Sequence, residues 1–282
     1  MKKGLILEGG AMRGLFTAGV MDVLMQDGVR FDGAIGVSAG AAFGCNYKSG
    51  QIGRVLRYNT RFCADPRYCS VHSLRTTGNL FSEDFCYGEV PLKLDPFDFE
   101  AYARNPMAFW VVCTDVETGE AVYHEYLGRE DHCLDWIRAS ASMPLVSRMV
   151  EIEGRKLLDG GIADSIPVRF FEGIGYERSV VVLTRPLGYR KGVNRAMPLI
   201  RRVYRDYPKL IEVLARRHEM YNAELDEIAR QEAEGRLLVI RPDASLPVHR
   251  VEKDPERLRA AYEAGCEVAG RRLAEIRAFM GE

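Results

Sequence analysis

The chain has 282 residues, of which 47% are hydrophobic and 28% charged, so a folded globular protein is expected and a disordered or collagen-like chain is excluded. Lys plus Arg number 39 against 40 for Asp plus Glu, a net charge of -1, so no global field draws in nucleic acid or any other polyanion. Only Gly4-Leu5-Ile6-Leu7 separates Lys3 from Glu8, too short an apolar run for a secretion signal, and the uncharged stretch 33–47 falls short of the roughly 20 residues that span a bilayer. The seven cysteines are odd in number and scattered, which points to reduced thiols and a cytoplasmic location.

In chain order, short apolar runs at 5–7, 34–37, 109–113, 180–183 and 237–240 read as strands buried on both faces. After the first, Phe16, Val20, Val23 and Leu24 recur at helical spacing until Gly28, giving a strand, helix, strand opening. Segment 62–98 has no sustained period and is expected to form long ordered loops. Hairpins are expected at 109–126, turning at Glu117-Thr118-Gly119, and at 149–158, turning at Glu153-Gly154. The final helix is predicted from Asp254 as N-cap and Pro255 in the first turn, lying flat on the sheet. The fold class is therefore α/β, with a mostly parallel central sheet flanked by helices. A catalytic core over 1–185 is expected, with a helical extension carrying one strand over 186–282 packed on the same domain.

Two glycine-rich turns carry the chemistry. Gly36-Val37-Ser38-Ala39-Gly40 ends a strand and opens a small-residue segment, the setting of a nucleophile elbow in which a strained Ser stands at a helix N-terminus and the flanking glycines admit close backbones. Glu8-Gly9-Gly10-Ala11-Met12-Arg13-Gly14 also follows a strand and opens a helix, so its amides would line the same sheet edge, where acyl transfer needs donors for an oxyanion. A dinucleotide loop is the rival reading, but it wants an acid at the end of the second strand, where Val37-Ser38 stand.

These two loops, with Asp159-Gly160-Gly161 far downstream, resemble the compact bacterial members of the patatin-like phospholipase family. Ala139-Ser140-Ala141-Ser142-Met143-Pro144 is similar to the family's A-S-x-A-x-P segment, and Thr114-Asp115-Val116-Glu117-Thr118-Gly119 to its hairpin motif. The resemblance covers residues 4–183 and implies a hydrolase fold with a Ser-Asp dyad. It makes Ser38 the nucleophile, Asp159 its base and the amides of Gly9, Gly10 and Ala11 the oxyanion donors, supported by Arg13, Gly14, Gly36, Ala39, Gly40, Gly160 and Gly161. Ala11 replaces the family's usual third Gly and would still donate its amide if its φ is negative, while Ser165 replaces an Asn.

The implied function is hydrolysis of a lipid or small ester through an acyl-enzyme, without metal or organic cofactor and with no obligate protein partner. An acyltransferase on the same dyad and a non-catalytic lipid-binding regulator are the alternatives. Only one strand clearly precedes that of Ser38, and the late His218 and His249 lie in surface-like segments, so a Ser-Asp-His triad is disfavoured; Asp115 and Asp164 are decoy carboxylates. Cys63, Cys69, His72 and Cys86 are too widely spaced for structural zinc and read as buried thiols. Nearby aromatics Phe62, Tyr68, Phe81, Phe85, Tyr87, Phe97 and Phe99 are candidate walls of an acyl channel. Segment 185–217 holds ten basic residues against Asp206 and Glu212. It is read either as a peripheral contact with anionic membrane or as a helix paired antiparallel with the acidic segment 219–234.

Overall fold

The computed structural model describes residues 2–281 and contains β1 (Lys3–Leu7), β2 (Gly33–Val37), β3 (Ala108–Asp115), β4 (Ala121–Glu125), β5 (Val150–Ile152), β6 (Arg155–Asp159), β7 (Arg178–Val182) and β8 (Leu237–Ile240). Strands β3, β2, β1, β7 and β8 lie side by side in parallel, while β4 and β6 pair antiparallel with β3 and β5 with β6. Both expected hairpins form, as β3–β4 and β5–β6.

Beyond Lys3 and Arg178-Ser179 at the starts of β1 and β7 and Thr114-Asp115 at the end of β3, the parallel strands are apolar or small because both faces are covered. Leu5, Leu7, Val180 and Val182 point into one core with helices Gly14–Gln26 and Ala39–Ser49, whereas Ile6, Ile35 and Val181 point into a second with Phe171, Tyr221 and Ile228. The chain leaves β1 for β2 and β3 on one side and returns to β7 and β8 on the other. The strand order therefore reverses at β1, the place in open α/β sheets where a crevice opens beyond the carboxyl ends.

Three expectations are corrected. Segment 62–98 is partly helical: Val71–Thr77 is a helix whose Ser70 Oγ accepts from the Ser73 amide at 2.9 Å, and Asp84–Leu94 is a wide π-type helix containing Pro91. The basic and acidic segments do not pair as antiparallel helices; after the short helix Met197–Val203, both run into one continuous helix, Pro208–Ala233. The last helix, Pro255–Met280, starts at Asp254 as expected but packs chiefly on helix Gly14–Gln26 rather than flat on the sheet. Gly19 and Gly265 make that crossing close, since a Cβ on either would collide with the other helix's backbone.

Candidate active site

The strand register brings Ser38 and Asp159 together. Val37 pairs with Val112, where β2 ends, and β6 takes over the edge of β3 so that the next residue, Cys113, pairs with Asp159. Ser38 leaves β2 at φ 56°, ψ -120°, a conformation that costs a non-glycine residue about 1–3 kcal/mol and survives only where its surroundings hold it. Here its amide donates to Ser140 Oγ at 2.9 Å, and that hydroxyl donates to the Val112 carbonyl at 2.6 Å. Gly36 and Gly40 cannot carry a Cβ, because one would strike the backbone of Gly40 and the other that of Leu7. The Ser38 side of the elbow needs the same space from Gly9, whose Cβ would stand 2.9 Å from that of Ser38.

Asp159 is 5% exposed. Its Oδ1 accepts from the Gly161 amide at 2.8 Å, its own amide donates to the Ser142 carbonyl at 2.8 Å, and Thr114 Oγ1 donates to its carbonyl at 2.9 Å. Gly160 sits against the Val112 carbonyl with no room for a side chain. Burial pushes the Asp159 carboxyl above its ordinary pKa, opposed by the charge of Arg217, the neighbouring Ser38 hydroxyl, the Gly161 amide and the charge of Lys191. A carboxylate raised in this way binds a proton at a less acidic pH, which suits a general base. Arg217 Nε also donates to the Gly161 carbonyl, fixing the turn that carries Asp159.

The loop after β1 is pinned by Glu8, whose carboxylate accepts from the Tyr221 hydroxyl at 2.6 Å and from the Thr184 amide at 2.6 Å. Among the described residues the amides of Gly9, Gly10 and Ala11 donate to no protein group, leaving them open to an oxyanion. Ala11 departs from the expectation of a negative φ: it stands at +48°, where glycine is free and an alanine is strained. Arg13 follows in the same turn, its amide donating to the Gly10 carbonyl at 3.2 Å, and Gly14 lies where a Cβ would stand 2.8 Å from the Phe43 ring.

Two cavities meet at this point. One, of about 130 Å³, is largely apolar and is walled by Phe43, Tyr58, Tyr68, Phe81, Tyr87 and Phe97 among others. Tyr68, Phe81, Tyr87 and Phe97 thus occupy the place expected for the channel aromatics, while Phe62, Phe85 and Phe99 do not line it. The other, of about 370 Å³, is the more polar of the two although apolar atoms still make up most of its lining; this polar chamber contains Asp159, Gly161 and the Gly9–Gly10 loop. Ala11, Ser38 and Met143 line both. Ala39 borders the apolar cavity alone.

The remaining candidates fall elsewhere. Asp115 caps its hairpin, Oδ1 accepting from the amides of Glu117 at 2.9 Å and Thr118 at 3.0 Å. Asp164 accepts from the Tyr123 hydroxyl at 2.6 Å in a separate crevice beside Glu224. Ser165, by contrast, lines the polar chamber and donates to the Gly161 carbonyl at 2.7 Å, which buttresses the turn. No histidine lines either cavity among the described residues. Cys63 points to the Lys253 carbonyl, Cys86 to that of Tyr68, and His72 is exposed, so the four residues weighed as a zinc site are not gathered. Ser140 and Arg217 are the supporting residues that the sequence left without a role. Ser140 lay in a quoted motif, whereas Arg217 had no signal beyond a basic run.

Residues 5–171, more than half of the chain, match the patatin-like phospholipase family. This chain belongs to that family. Residues 207–281 match a second family, described only as a domain of unknown function. Among curated proteins, this patatin-like chain is 35% identical over 192 residues to the uncharacterized protein YjjU of Escherichia coli K12, a match covering 64% of this chain and 52% of the relative. It is 27% identical over 187 residues to the lysophospholipase nte1 of Aspergillus niger, covering 61% of this chain and 11% of the relative. It is likewise 27% identical over 185 residues to an uncharacterized NTE family protein of Mycobacterium tuberculosis H37Rv, covering 63% and 48%. The matched region thus spans about half or less of these relatives' own length. Among solved structures, VipD from Legionella pneumophila gives a TM-score of 0.44 at 11% identity over 96% of this chain and 67% of that one. The type III effector ExoU gives 0.36 at 12% identity over 95% and 53%.

Proposed function

We propose that this protein is an acyl-ester hydrolase acting on lipids, with Ser38 as nucleophile and Asp159 as its general base. The observation that carries the reading is the register that sets a buried, raised-pKa carboxylate beside a strained serine, at the meeting point of an apolar cavity and a polar chamber. Asp159 takes the Ser38 proton as Oγ attacks the ester carbonyl, and the amides of Gly9, Gly10 and Ala11 receive the oxyanion. The alcohol leaves with a proton returned by Asp159, giving an acyl-Ser38 ester. Asp159 then takes a proton from water as its oxygen attacks that ester, and returns the proton to Ser38 Oγ as the bond to the acyl carbon breaks and the carboxylic acid departs. The acyl chain lies in the apolar cavity. Labelling by a serine-reactive phosphonate, together with turnover of a nitrophenyl ester and loss of both in Ser38→Ala, tests the reading; a wild-type protein that is neither labelled nor active refutes it.

Peripheral contact with an anionic membrane belongs to the same proposal. No helix among the described residues is long and apolar enough to cross a membrane. Leu187, Val193, Leu199 and Val203 are exposed, and they alternate with exposed Arg195, Arg201, Arg202 and Arg205. Residues interleaved with these (Lys191, Asn194, Ala196 and Ile200) line the polar chamber, so a surface docked here would lie beside its mouth.

A further inference from the structure

The polar chamber holds more positive charge than the proposed chemistry uses. Arg13, Arg185, Lys191, Arg217 and Arg250 line it, drawn from the turn after β1, the segment after β7, helix Pro208–Ala233 and the loop after β8. Two carboxylates accompany them and both are engaged: Glu8 by Tyr221 and Thr184, Asp159 by the Gly161 amide. Among the described residues none of the five cations makes a salt bridge, although buried cations elsewhere do, as where Arg54 meets Asp95. Arg185 and Lys191 instead lie over the rings of Tyr189 and Tyr221, at 4.4 and 4.0 Å, and the buried Arg13 Nε has no acceptor. Four of the five, Arg13, Arg185, Lys191 and Arg217, are half-buried while Arg250 is exposed at the rim, and crowded, half-buried, unpaired cations work against folding unless an anion joins them. Lys191 registers that crowding: burial, and then repulsion from Arg217, push its pKa down to about 8.

We propose that this chamber receives a phosphomonoester on the alcohol portion of the substrate, and that Arg13, Arg185, Lys191 and Arg250 favour such esters over zwitterionic and neutral ones. The inference rests on Ser38 being the nucleophile. With the carbonyl at Ser38 and the acyl chain in the apolar cavity, the alcohol arm of the ester has the chamber before it. A phosphate dianion offers several acceptor oxygens to guanidinium forks and an ammonium, which is the pairing these side chains lack. A quaternary ammonium would need an open aromatic face or a free carboxylate. Tyr189 and Tyr221 each already carry a cation over the ring, and Glu8 is already engaged.

The test compares three esters of one acyl chain on the wild-type protein: hexanoyl glycerophosphate, monohexanoylglycerol and hexanoyl glycerophosphocholine. The phosphomonoester should lead in kcat/KM by at least about tenfold, and Arg185→Gln/Arg250→Gln should remove most of that lead, chiefly through KM, because each lost charge-assisted bond is worth about a factor of ten. Arg185→Lys/Arg250→Lys, which keeps both charges, should retain part of it and separates loss of charge from loss of fold. Equal kcat/KM for the three esters, or a lead untouched in the Gln pair, overturns the proposal. Calorimetry on Ser38→Ala needs no turnover and so separates the chamber from the chemistry. Glycerophosphate should bind and should fail to bind once the Gln pair is added. Absence of glycerophosphate binding overturns the proposal, as does inorganic phosphate binding more tightly than glycerophosphate, which would make the chamber a site for the free anion. Glycerophosphate binding in a protein that cleaves none of the esters would instead refute the hydrolase reading on which the substrate assignment depends.

Discussion

The two cavities that meet at Ser38 are built by different rules. The apolar one is made mostly by chain between Phe43 and Met143, so its aromatics and cysteines come from one contiguous part of the sequence. The polar chamber collects Glu8, Asp159, Lys191, Arg217 and Arg250 from the whole length of the molecule. The first can be changed by one substitution with a local effect. The second is a product of topology, because its walls come from the chain that follows β1, β6, β7 and β8.

The sharpest way to break the comparison is at its hinge. Asp159→Asn should lower ester turnover by about a hundredfold or more, since it removes the proposed general base while leaving an oxygen to accept from Gly161. In the wild type, kcat/KM should rise with pH as Asp159 loses its proton, and that limb should lie above the ordinary carboxylate value of 3.8. The stability effect has the opposite sign. Because the folded carboxyl is raised, the native state binds more protons than the unfolded chain between 3.8 and its own pKa, so stability falls as pH rises through that window. Asp159→Asn should therefore melt at a higher temperature than the wild type at neutral pH. A variant that retains a tenth of the activity, or that melts lower, contradicts this account.

The next effect sharpens the apolar side. Ala42→Leu adds three carbons beside Ser38 and Phe43, and should lower kcat/KM for decanoyl nitrophenyl esters by about tenfold or more relative to acetyl ones, given the roughly 1–3 kcal/mol carried by each misplaced methylene. An unaltered chain-length preference would place the acyl chain elsewhere.

How much of this was readable beforehand follows the same division. Gly36, Ser38, Gly40 and Asp159-Gly160-Gly161 are legible because tight turns impose their residue types locally, and the structure gives the reason in backbone collisions. Helix Asp84–Leu94 escaped because a π-type winding containing Pro91 does not repeat at helical spacing. Helix Pro208–Ala233 was divided at the change from basic to acidic residues, although no Gly or Pro interrupts it after Pro208. Composition had outweighed the absence of a breaker. Arg217 and Arg250 belong to the chamber only through the order of the strands, which no local pattern records.

Two smaller effects test the rims. Replacing Arg201, Arg202 and Arg205 by Gln should lower binding to phosphatidylglycerol vesicles by about a hundredfold at low salt, at roughly 1 kcal/mol per cation. Wild-type binding should itself fall steeply towards physiological salt, where screening shortens the reach of charge to about 8 Å. Cosedimentation that is absent at low salt, or indifferent to the triple substitution, excludes the membrane contact. Smallest of all, Ala11→Gly should stabilise the protein by about 1 kcal/mol or less, because it relieves the positive φ at a modest cost in chain entropy. Thermal denaturation reads the sign, and a loss of stability would show that the alanine methyl contributes packing to the wall shared by both cavities.

The exchange of partners along the edge of β3, from β2 to β6, also sets an order of assembly during synthesis. Ser38 leaves the ribosome before Asp159, whose place waits for the β5–β6 hairpin to be made and docked, and Arg250 follows both. A nascent chain therefore carries the proposed nucleophile before its proposed base. Covalent labelling of Ser38 becomes a clock for the moment at which the two halves of the sheet close.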